Sequence, residues 1–230
     1  MRGALRSLST VLIVAGVLLI ADAIVAVTWQ EPVSAFLAQR SQSQLADQLD
    51  ELRERPPTRV EQKALASLPT QSRRIKYAAR RLRRQTPAGG ALGRIVLTSL
   101  DKDFVMVDGD DPASLRKGPG IYPDTPMPGE GGTTGIAGHR TTYLAPFRDI
   151  DSLERGDRIE LEMPYGRFTY VVQGTEIVAP DDLSVIEPVG YERIVLTACH
   201  PLYSAAERIV AYAKLAKVDP ARRISDAAER

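Results

Sequence analysis

The chain begins with one long apolar run and continues through polar helical stretches into a series of short strand-like runs. Residues 8–29 are almost entirely apolar and are about long enough for a helix that crosses a bilayer core. Arg2 and Arg6 precede this run. Because basic residues favour the cytoplasmic side, this pattern predicts that residues 1–7 stay inside the cell and that the rest of the chain lies outside.

A cleaved signal peptide is the alternative explanation of the apolar run. Ala21-Asp22-Ala23 matches the small-x-small pattern of cleavage sites, whereas the apolar character continues through Val27. Asp22 would cost about 2.5–3.5 kcal/mol at the bilayer centre, but it lies toward the outer end of the run, where it can reach the headgroups. The pattern favours a retained single-pass anchor. Both explanations place the following domain outside the membrane.

Residues 30–92 are predicted to form a helical stalk or linker. Leucines recur near helical spacing, which predicts an amphipathic helix over residues 33–55; these leucines are Leu37, Leu45, Leu49 and Leu52. Pro56-Pro57 ends that helix, and a second helical stretch is predicted over residues 58–84.

The segment 73–84 is strongly basic. It holds seven Lys or Arg residues and no acidic residue, although the formal net charge of the whole chain is only +1. A solvated helix face is the ordinary explanation for such a run, and contact with anionic lipid or an anionic wall polymer is the alternative. Without these seven cations the rest of the chain has a formal net charge of −6, which predicts no nucleic-acid partner.

From residue 93 to residue 220 the pattern changes to short runs typical of strands. Residues 158–163 alternate apolar and charged side chains, as a half-buried strand does. The predicted strands cover residues 94–98, 104–107, 134–137, 158–163, 168–178, 193–197 and 208–218. Short helical turns are expected over residues 113–117 and 146–153. This series predicts an all-β barrel or sandwich.

Cys199 is the only cysteine, so the chain cannot form an internal disulfide. A lone cysteine is most often a small buried apolar residue. Here, however, it ends an apolar strand, and Arg208 opens the next strand nine residues later. If the two strands pair as a hairpin, the two residues face each other. The guanidinium would then favour the thiolate and could hold an oxyanion.

The chain has two histidines. His139 ends another short strand, and together with Cys199 and Arg208 it would complete the groups needed for acyl transfer. A structural, hydrogen-bonding histidine is the alternative. His200 is expected to point away from Cys199 and to serve as a wall or loop residue. A zinc site wants three or four ligands, and no such cluster is present in the sequence, so we predict no metal and no cofactor.

Three segments together resemble those of sortases, a family of cysteine transpeptidases. The cysteine segment is LTACHP at residues 196–201, followed by Arg208 in ERIV. The histidine segment is TGIAGHRTTY at residues 134–143, and residues 115–129 are similar to the loop that leads to it. The resemblance covers about residues 94–218. Tyr143 and the Cys-His-Pro sequence are most similar to the class E branch of actinobacteria.

The resemblance implies a closed eight-stranded β-barrel with short helices over residues 93–220, preceded by the N-terminal transmembrane helix and the helical stalk. Residues 221–230 are expected to form a C-terminal tail. The resemblance also implies a membrane-anchored enzyme whose catalytic domain is extracellular. The expected substrates are secreted proteins with a C-terminal sorting motif of the Leu-Ala/Pro-x-Thr-Gly type, with the alanine form preferred in class E. The expected acceptor is an amine of the cell-wall precursor.

Carried over by position, the resemblance makes Cys199 the nucleophile that forms a thioacyl enzyme. It makes His139 the general acid/base and Arg208 the group that stabilises the oxyanion or orients the substrate. The supporting residues that it implies are Tyr143, Thr197, Ala198 and His200.

Ala198 departs from the family signature, which has a threonine just before the cysteine. A lost charge-assisted hydrogen bond would remove about 1.5–3 kcal/mol, or roughly one to two orders of magnitude in rate. Thr197 is expected to point to the opposite face and to be a poor substitute. A catalytically inactive module that binds sorting peptides is therefore one alternative function. A hydrolase that cuts without transfer is another.

Overall fold

The computed structural model describes residues 2–28 and 32–225. Trp29 of the predicted membrane helix and residues 226–230 of the predicted tail lie outside the described residues. The strands are β1 (Ala91–Leu97), β2 (Lys102–Asp108), β3 (Gly120–Ile121), β4 (Thr133–Ala137), β5 (Arg158–Met163), β6 (Gly166–Val178), β7 (Arg193–His200) and β8 (Glu207–Pro220). Each of the seven predicted strands is therefore present. The two-residue strand β3 is too short to show a pattern in the sequence.

Within the described residues these strands close into one barrel in the order β1-β2-β3-β4-β7-β8-β6-β5. The prediction of a closed eight-stranded barrel is thus confirmed. The pairs β2–β3 and β4–β7 are parallel, and the other neighbours are antiparallel. The β4–β7 pair joins two strands that are far apart in the sequence, and it carries the candidate site.

The first helix, α1 (Arg2–Thr28), includes the apolar run predicted to cross the membrane. Its large apolar side chains between Leu8 and Ile20 are exposed. Among the residues that the structure describes, no helix has both the length and the apolar character needed for a membrane span. A membrane anchor therefore stays a prediction.

The second helix, α2 (Pro32–Glu54), packs along the outside of β1 and β2. Leu45 and Leu49 form a small core with Val105 and two other strand residues, Ala91 and Val107. Gln42 completes the exposed edge of β2. Its side-chain Oε1 accepts from Val105 N at 2.8 Å, and its Nε2 donates to Val105 O at 3.0 Å. The helix is thus part of the domain and does not stand apart as a stalk.

The predicted second helical stretch is two helices, α3 (Arg59–Ser67) and α4 (Gln71–Gln85). Thr58 and Thr70 cap their N-termini, since each hydroxyl accepts from the backbone N–H three residues later. Pro69 lies in the break between them. Apolar residues of both helices join the main core of the barrel: Leu65, Ile75, Ala79 and Leu82.

The basic segment 73–84 is largely used inside the protein. Arg74 is buried, and its Nε donates to the carbonyls of Leu65 and Leu68. Arg80, Arg81 and Arg83 form ion pairs with Glu130, Glu61 and Asp108. Solvation alone therefore does not explain these cations, because four of the seven hold α4 against the rest of the domain. Arg73 and Arg84 remain exposed.

The remaining helices are short. They are α5 (Pro112–Leu115) and α6 (Arg222–Ser225), with 3₁₀ turns at Thr98–Leu100, Ile150–Ser152 and Leu183–Ile186. The helical turn predicted over residues 113–117 thus corresponds to α5. The turn predicted over 146–153 is the short 3₁₀ segment.

Candidate active site

Strand β7 determines which side chains share a face with Cys199. Alternate residues of this strand lie in the main core of the barrel: Ile194, Leu196 and Ala198. Because successive side chains of a strand point to opposite faces, Thr197 and Cys199 lie together on the outer face. Ala198 is only 3% exposed. The prediction that Ala198 leaves a hydroxyl missing beside Cys199, with Thr197 pointing away, is therefore wrong.

Arg208 lies directly opposite Cys199. Strands β7 and β8 pair in antiparallel register with Cys199 facing Arg208, as the nine-residue spacing predicted. Side chains at directly opposed positions start about 4.5–5.5 Å apart. Both residues are partly exposed. Nη1 of Arg208 donates to the carbonyls of Ala205 and Glu207 at 3.0 and 2.9 Å, which holds the guanidinium at the turn between the strands.

His139 approaches Cys199 from the other side of β7. The parallel register pairs Ile136 with Leu196 and Ala137 with Thr197. Gly138 then donates from its backbone N to Thr197 O at 3.0 Å. Continued by two residues, the same register places His139 beside Cys199. Cys199 is thus flanked by the histidine on one neighbouring strand end and by the arginine on the other.

The surroundings of His139 favour its neutral form. Burial lowers the pKa of His139 below its ordinary value of 6.5, and the positive charge of Arg116 lowers it further. The His139 ring lies 5.1 Å from the ring of Tyr143, which supports its orientation. Its Nε2 is buried and has no hydrogen-bond partner among the described residues. A neutral imidazole with a vacant ring nitrogen can accept a proton from a neighbouring thiol.

The loop after His139 has an unusual backbone. Tyr143, Leu144 and Ala145 are consecutive non-glycine residues with positive φ values of 51, 65 and 42°. Such conformations cost of the order of 1–3 kcal/mol each and persist only where packing enforces them. Ala145 is completely buried, and Phe147 N donates to His139 O at 3.0 Å. Tyr143 therefore reaches His139 from a tightly held turn.

Tyr122 is a site residue that the sequence analysis missed. Its hydroxyl lies 2.7 Å from Oγ1 of Thr197, on the face that carries Cys199. The ring covers Gly135, where any Cβ would meet ring carbon Cδ2 at 2.0 Å. Burial raises the pKa of Tyr122, and Arg208 and Cys199 are near enough to influence it. The loop 115–129 was identified as similar to a sortase loop, but its spacing alone singles out no side chain.

Helix α4 holds the Tyr122 segment in place. The guanidinium of Arg83 donates to Tyr122 O at 3.2 Å and to Pro123 O at 3.2 Å, and it also bonds Thr125 O. Arg83, a basic residue of the segment 73–84, thus holds in place the loop that carries Tyr122.

An apolar patch continues the outer face beyond Cys199. Val195 and Val210 pack with Val185, which comes from the 3₁₀ turn in the loop between β6 and β7. Arg193 fastens this loop, since its Nη2 donates to the carbonyls of Val185 and Glu187 at 2.9 and 3.2 Å. All three valines are buried, so the loop covers this part of the outer face of β7.

The other predicted supporting residue, His200, lies on the opposite face from Cys199 and contacts the buried Arg140. Its contact with Arg140 is structural, whereas a supporting role at the substrate site stays a prediction. Within residues 2–28 and 32–225, no group of three or more His, Cys, Asp or Glu side chains is arranged to hold a metal ion.

The comparisons with known proteins identify the family. The sortase domain model matches residues 95–216 of this chain. The chain belongs to the sortase family. Sortases are cysteine transpeptidases, which agrees with a cysteine, a histidine and an arginine that meet on one face.

Two curated relatives are similar over the barrel. Sortase D of Bacillus subtilis (strain 168) is 36% identical over 130 residues, which are 55% of this chain and 64% of the relative. Sortase SrtE1 of Streptomyces coelicolor is 34% identical over 106 residues, which are 42% of this chain and 30% of the relative. The chain thus spans less than two thirds of the length of either relative.

A solved relative has the same architecture. The crystal structure of sortase E1 from Streptomyces coelicolor, with a tripeptide in its active site, superposes with a TM-score of 0.55. It is 28% identical, and the match covers 57% of this chain and 91% of that chain.

Proposed function

We propose that this protein is a membrane-anchored sortase that joins secreted proteins to the cell wall. It would cleave a C-terminal sorting motif of the Leu-Ala/Pro-x-Thr-Gly type and transfer the new acyl end to an amine of the wall precursor. The observation that supports this proposal is the pairing of β7 with β8, which sets Cys199 opposite Arg208, and with β4, whose register continued by two residues brings His139 to Cys199.

In the first half of the reaction, neutral His139 accepts the proton of the Cys199 thiol. The thiolate attacks the carbonyl carbon of the motif threonine, and the carbonyl oxygen becomes negative. The guanidinium of Arg208 stabilises that charge. When the intermediate collapses, the threonine–glycine bond breaks, and protonated His139 gives its proton to the leaving glycine amine. A thioester between Cys199 and threonine remains.

In the second half, an acceptor amine attacks the thioester carbonyl. His139 takes a proton from the attacking nitrogen, and Arg208 again stabilises the oxyanion. The carbon–sulfur bond breaks, an amide forms, and the cysteine leaves as a thiolate that recovers a proton from His139. The same three side chains therefore serve both halves with no net change in protonation.

Val195 and Val210 are fully buried beneath Val185, so the loop between β6 and β7 would form one border of a peptide groove beside Cys199. Thr197 and Tyr122 supply a hydroxyl pair on the same face. The hydroxyl expected from a threonine at position 198 is thus supplied on the Cys199 face by these two residues.

The proposed localisation is the cell membrane, with a single span and the barrel outside the cell. Support comes from the apolar side chains exposed along α1 and from Arg2 and Arg6 before them. Contact between the segment 73–84 and anionic lipid or wall polymer has weaker support. Of its cations, Arg73, Arg80 and Arg84 are exposed, and Arg80 is already paired with Glu130.

The test uses a fluorogenic sorting-motif peptide with and without an amine acceptor. We expect cleavage and, with the acceptor, a ligated product detectable by mass spectrometry. Cys199→Ala should abolish both, whereas Arg167→Ala on the other end of the barrel should retain them. Cleavage that never yields ligated product would replace the proposal with a hydrolase. Peptide binding without cleavage would replace it with a binding module.

A further inference from the structure

The N-terminal part of α2 lies at the end of the barrel that carries the candidate catalytic residues. Gln39 of this helix lines a surface groove of about 450 Å³ together with Leu144, which belongs to the loop after His139. The turn between β1 and β2 lies at the same end, since Lys102 Nζ pairs with Asp149 of that loop at 2.7 Å. We call this end, which includes Cys199 and Arg208, the catalytic end.

The rest of α2 runs away from the catalytic end. Gln42 bonds the middle of β2 at Val105. Near the end of the helix, Arg53 pairs with Glu162 at 3.1 Å, next to the tight turn between β5 and β6. The chain therefore enters the domain at the catalytic end and descends along the barrel to the opposite end.

This direction limits where the apolar helix α1 can be. Seven residues separate Pro32 from Gln39, and they extend α2 by about 10 Å beyond the groove. Thr28, the last residue of α1, is four positions before Pro32. Four residues span at most about 14 Å. The end of α1 must therefore lie within short reach of the catalytic end.

The same end exposes large apolar side chains. On α2, Phe36 is 68% and Leu37 is 53% exposed. On the turn between β7 and β8, beside Cys199, Leu202 is 38% and Tyr203 is 62% exposed. Arg40, one turn after Phe36, is exposed as well. Aromatic and aliphatic side chains accompanied by arginine are typical of surfaces that rest at the boundary between headgroups and acyl chains.

We propose that the catalytic end is a membrane-facing surface, with Phe36, Leu37, Leu202 and Tyr203 in contact with phospholipid, so that the end of β7 that carries Cys199 faces the bilayer. This inference rests on the anchor in the proposed function. It adds an orientation to that function. A substrate or acceptor amine held at the membrane surface would then lie close to Cys199.

The experiment measures the distance of each end from lipid headgroups. The full chain carries Cys199→Ala, which leaves it without cysteine, and receives one new cysteine in each variant: Leu37→Cys, Tyr203→Cys or Arg167→Cys. Arg167, with 53% of its side chain exposed, is the matched control on the opposite end. Each cysteine is labelled with a fluorophore. The proteins are reconstituted in phosphatidylcholine–phosphatidylglycerol vesicles with or without a nitroxide-headgroup lipid.

We expect the nitroxide lipid to remove most of the fluorescence at positions 37 and 203 and little of it at position 167. Position 203 decides the question, because position 37 is close to the anchor in any orientation. The orientation would be overturned if the protein bound vesicles but the label at position 203 was not quenched, or if the label at 167 was quenched as strongly as the label at 203. The anchor would still stand in both cases. Failure to float with the vesicles would overturn the anchor and the orientation together. Neither result bears on the peptide reaction, because Cys199 is absent.

Discussion

Arg140 donates from Nη1 to Nδ1 of His200 across 3.2 Å, and this contact joins the residue after His139 to the residue after Cys199. A guanidinium can only donate, so Nδ1 of His200 must accept, and the ring proton lies on Nε2. Arg140 is 3% exposed and also bonds Arg148 O and the Asp151 carboxylate, both at 2.9 Å. The contact therefore fastens two strand ends behind the candidate catalytic side chains.

Replacing His200 should separate this positioning role from general stability. In His200→Asn the amide oxygen can replace Nδ1 as acceptor, whereas His200→Leu offers none. A hydrogen bond to a charged group is worth about 1.5–3 kcal/mol. If the whole of it maintains the catalytic geometry, His200→Leu should lower kcat by roughly one to two orders of magnitude with KM little changed.

The measurement is steady-state cleavage of the motif peptide, with thermal unfolding recorded for each variant. We expect His200→Asn to keep most of the wild-type kcat. Equal activity of the two variants would contradict a role for the Arg140 contact in positioning.

Ala198→Thr tests which face of β7 is the catalytic one. Since Ala198 is buried in the barrel core, the larger side chain should lower the free energy of unfolding by about 1–3 kcal/mol through overpacking. It should not raise kcat. Thr197→Val, which is similar in shape, should lower kcat because it removes the partner of the Tyr122 hydroxyl.

Denaturant unfolding and peptide cleavage on both variants give the answer. A faster and equally stable Ala198→Thr enzyme would show that position 198 lies beside Cys199 after all.

Stability should fall in mild acid because of His139. Its pKa in the folded state lies below the ordinary value of 6.5, mainly because of burial. As the pH falls below about 6.5, the unfolded chain therefore binds a proton before the folded chain does, and the free energy of unfolding decreases. Above that pH His139 is neutral in both states, so it no longer makes the free energy of unfolding depend on pH. His139→Gln should lack this component when urea unfolding is compared at neutral and mildly acidic pH.

The charge of Arg116 should also set the acid limit of cysteine reactivity. Burial lowers the pKa of His139 most and the charge of Arg116 lowers it further, so Arg116→Gln should raise that pKa part of the way toward its ordinary value. The acid limb of Cys199 alkylation by iodoacetamide should then move to higher pH. Arg73→Gln, which removes an exposed arginine on α4, is the matched control. An acid limb shifted equally by both variants would contradict a local effect of Arg116.

Substitutions of two neighbouring arginines in the basic segment should differ sharply in their effect on stability. Arg74→Gln removes donors from Leu65 O and Leu68 O in a buried position, at a cost of about 1.5–3 kcal/mol. Arg73→Gln changes an exposed side chain and should stay within about 0.5 kcal/mol of wild type. Thermal or denaturant unfolding measures both. A similarly small effect of the two variants on stability would show that the segment is only a solvated helix face.

Local pattern was enough for much of the fold. The period-two alternation in residues 158–163 predicted β5, and the nine-residue spacing predicted that Cys199 faces Arg208, because a hairpin brings close residues into register. Strand β3 escaped detection because two residues carry no period. The meeting of His139 with Cys199 was suggested by the resemblance to sortases. The physical reason for that approach is the parallel pairing of β4 with β7, which joins two strands far apart in the sequence.

By itself the sequence predicted seven of the eight strands and the hairpin that pairs Cys199 with Arg208, because these depend on spacing along the chain. The set of three candidate catalytic residues rested in addition on the resemblance to sortases. The tertiary structure alone decided which face is outside. Alternation alone puts Thr197 on the same face as Cys199 and opposite to Ala198, but only closure of the barrel places Ala198 in its core and the other two outside it. It also decided that Arg74 and Arg83 bind carbonyls and that Tyr122 reaches Thr197. Those partners are fixed by packing, which local sequence does not encode.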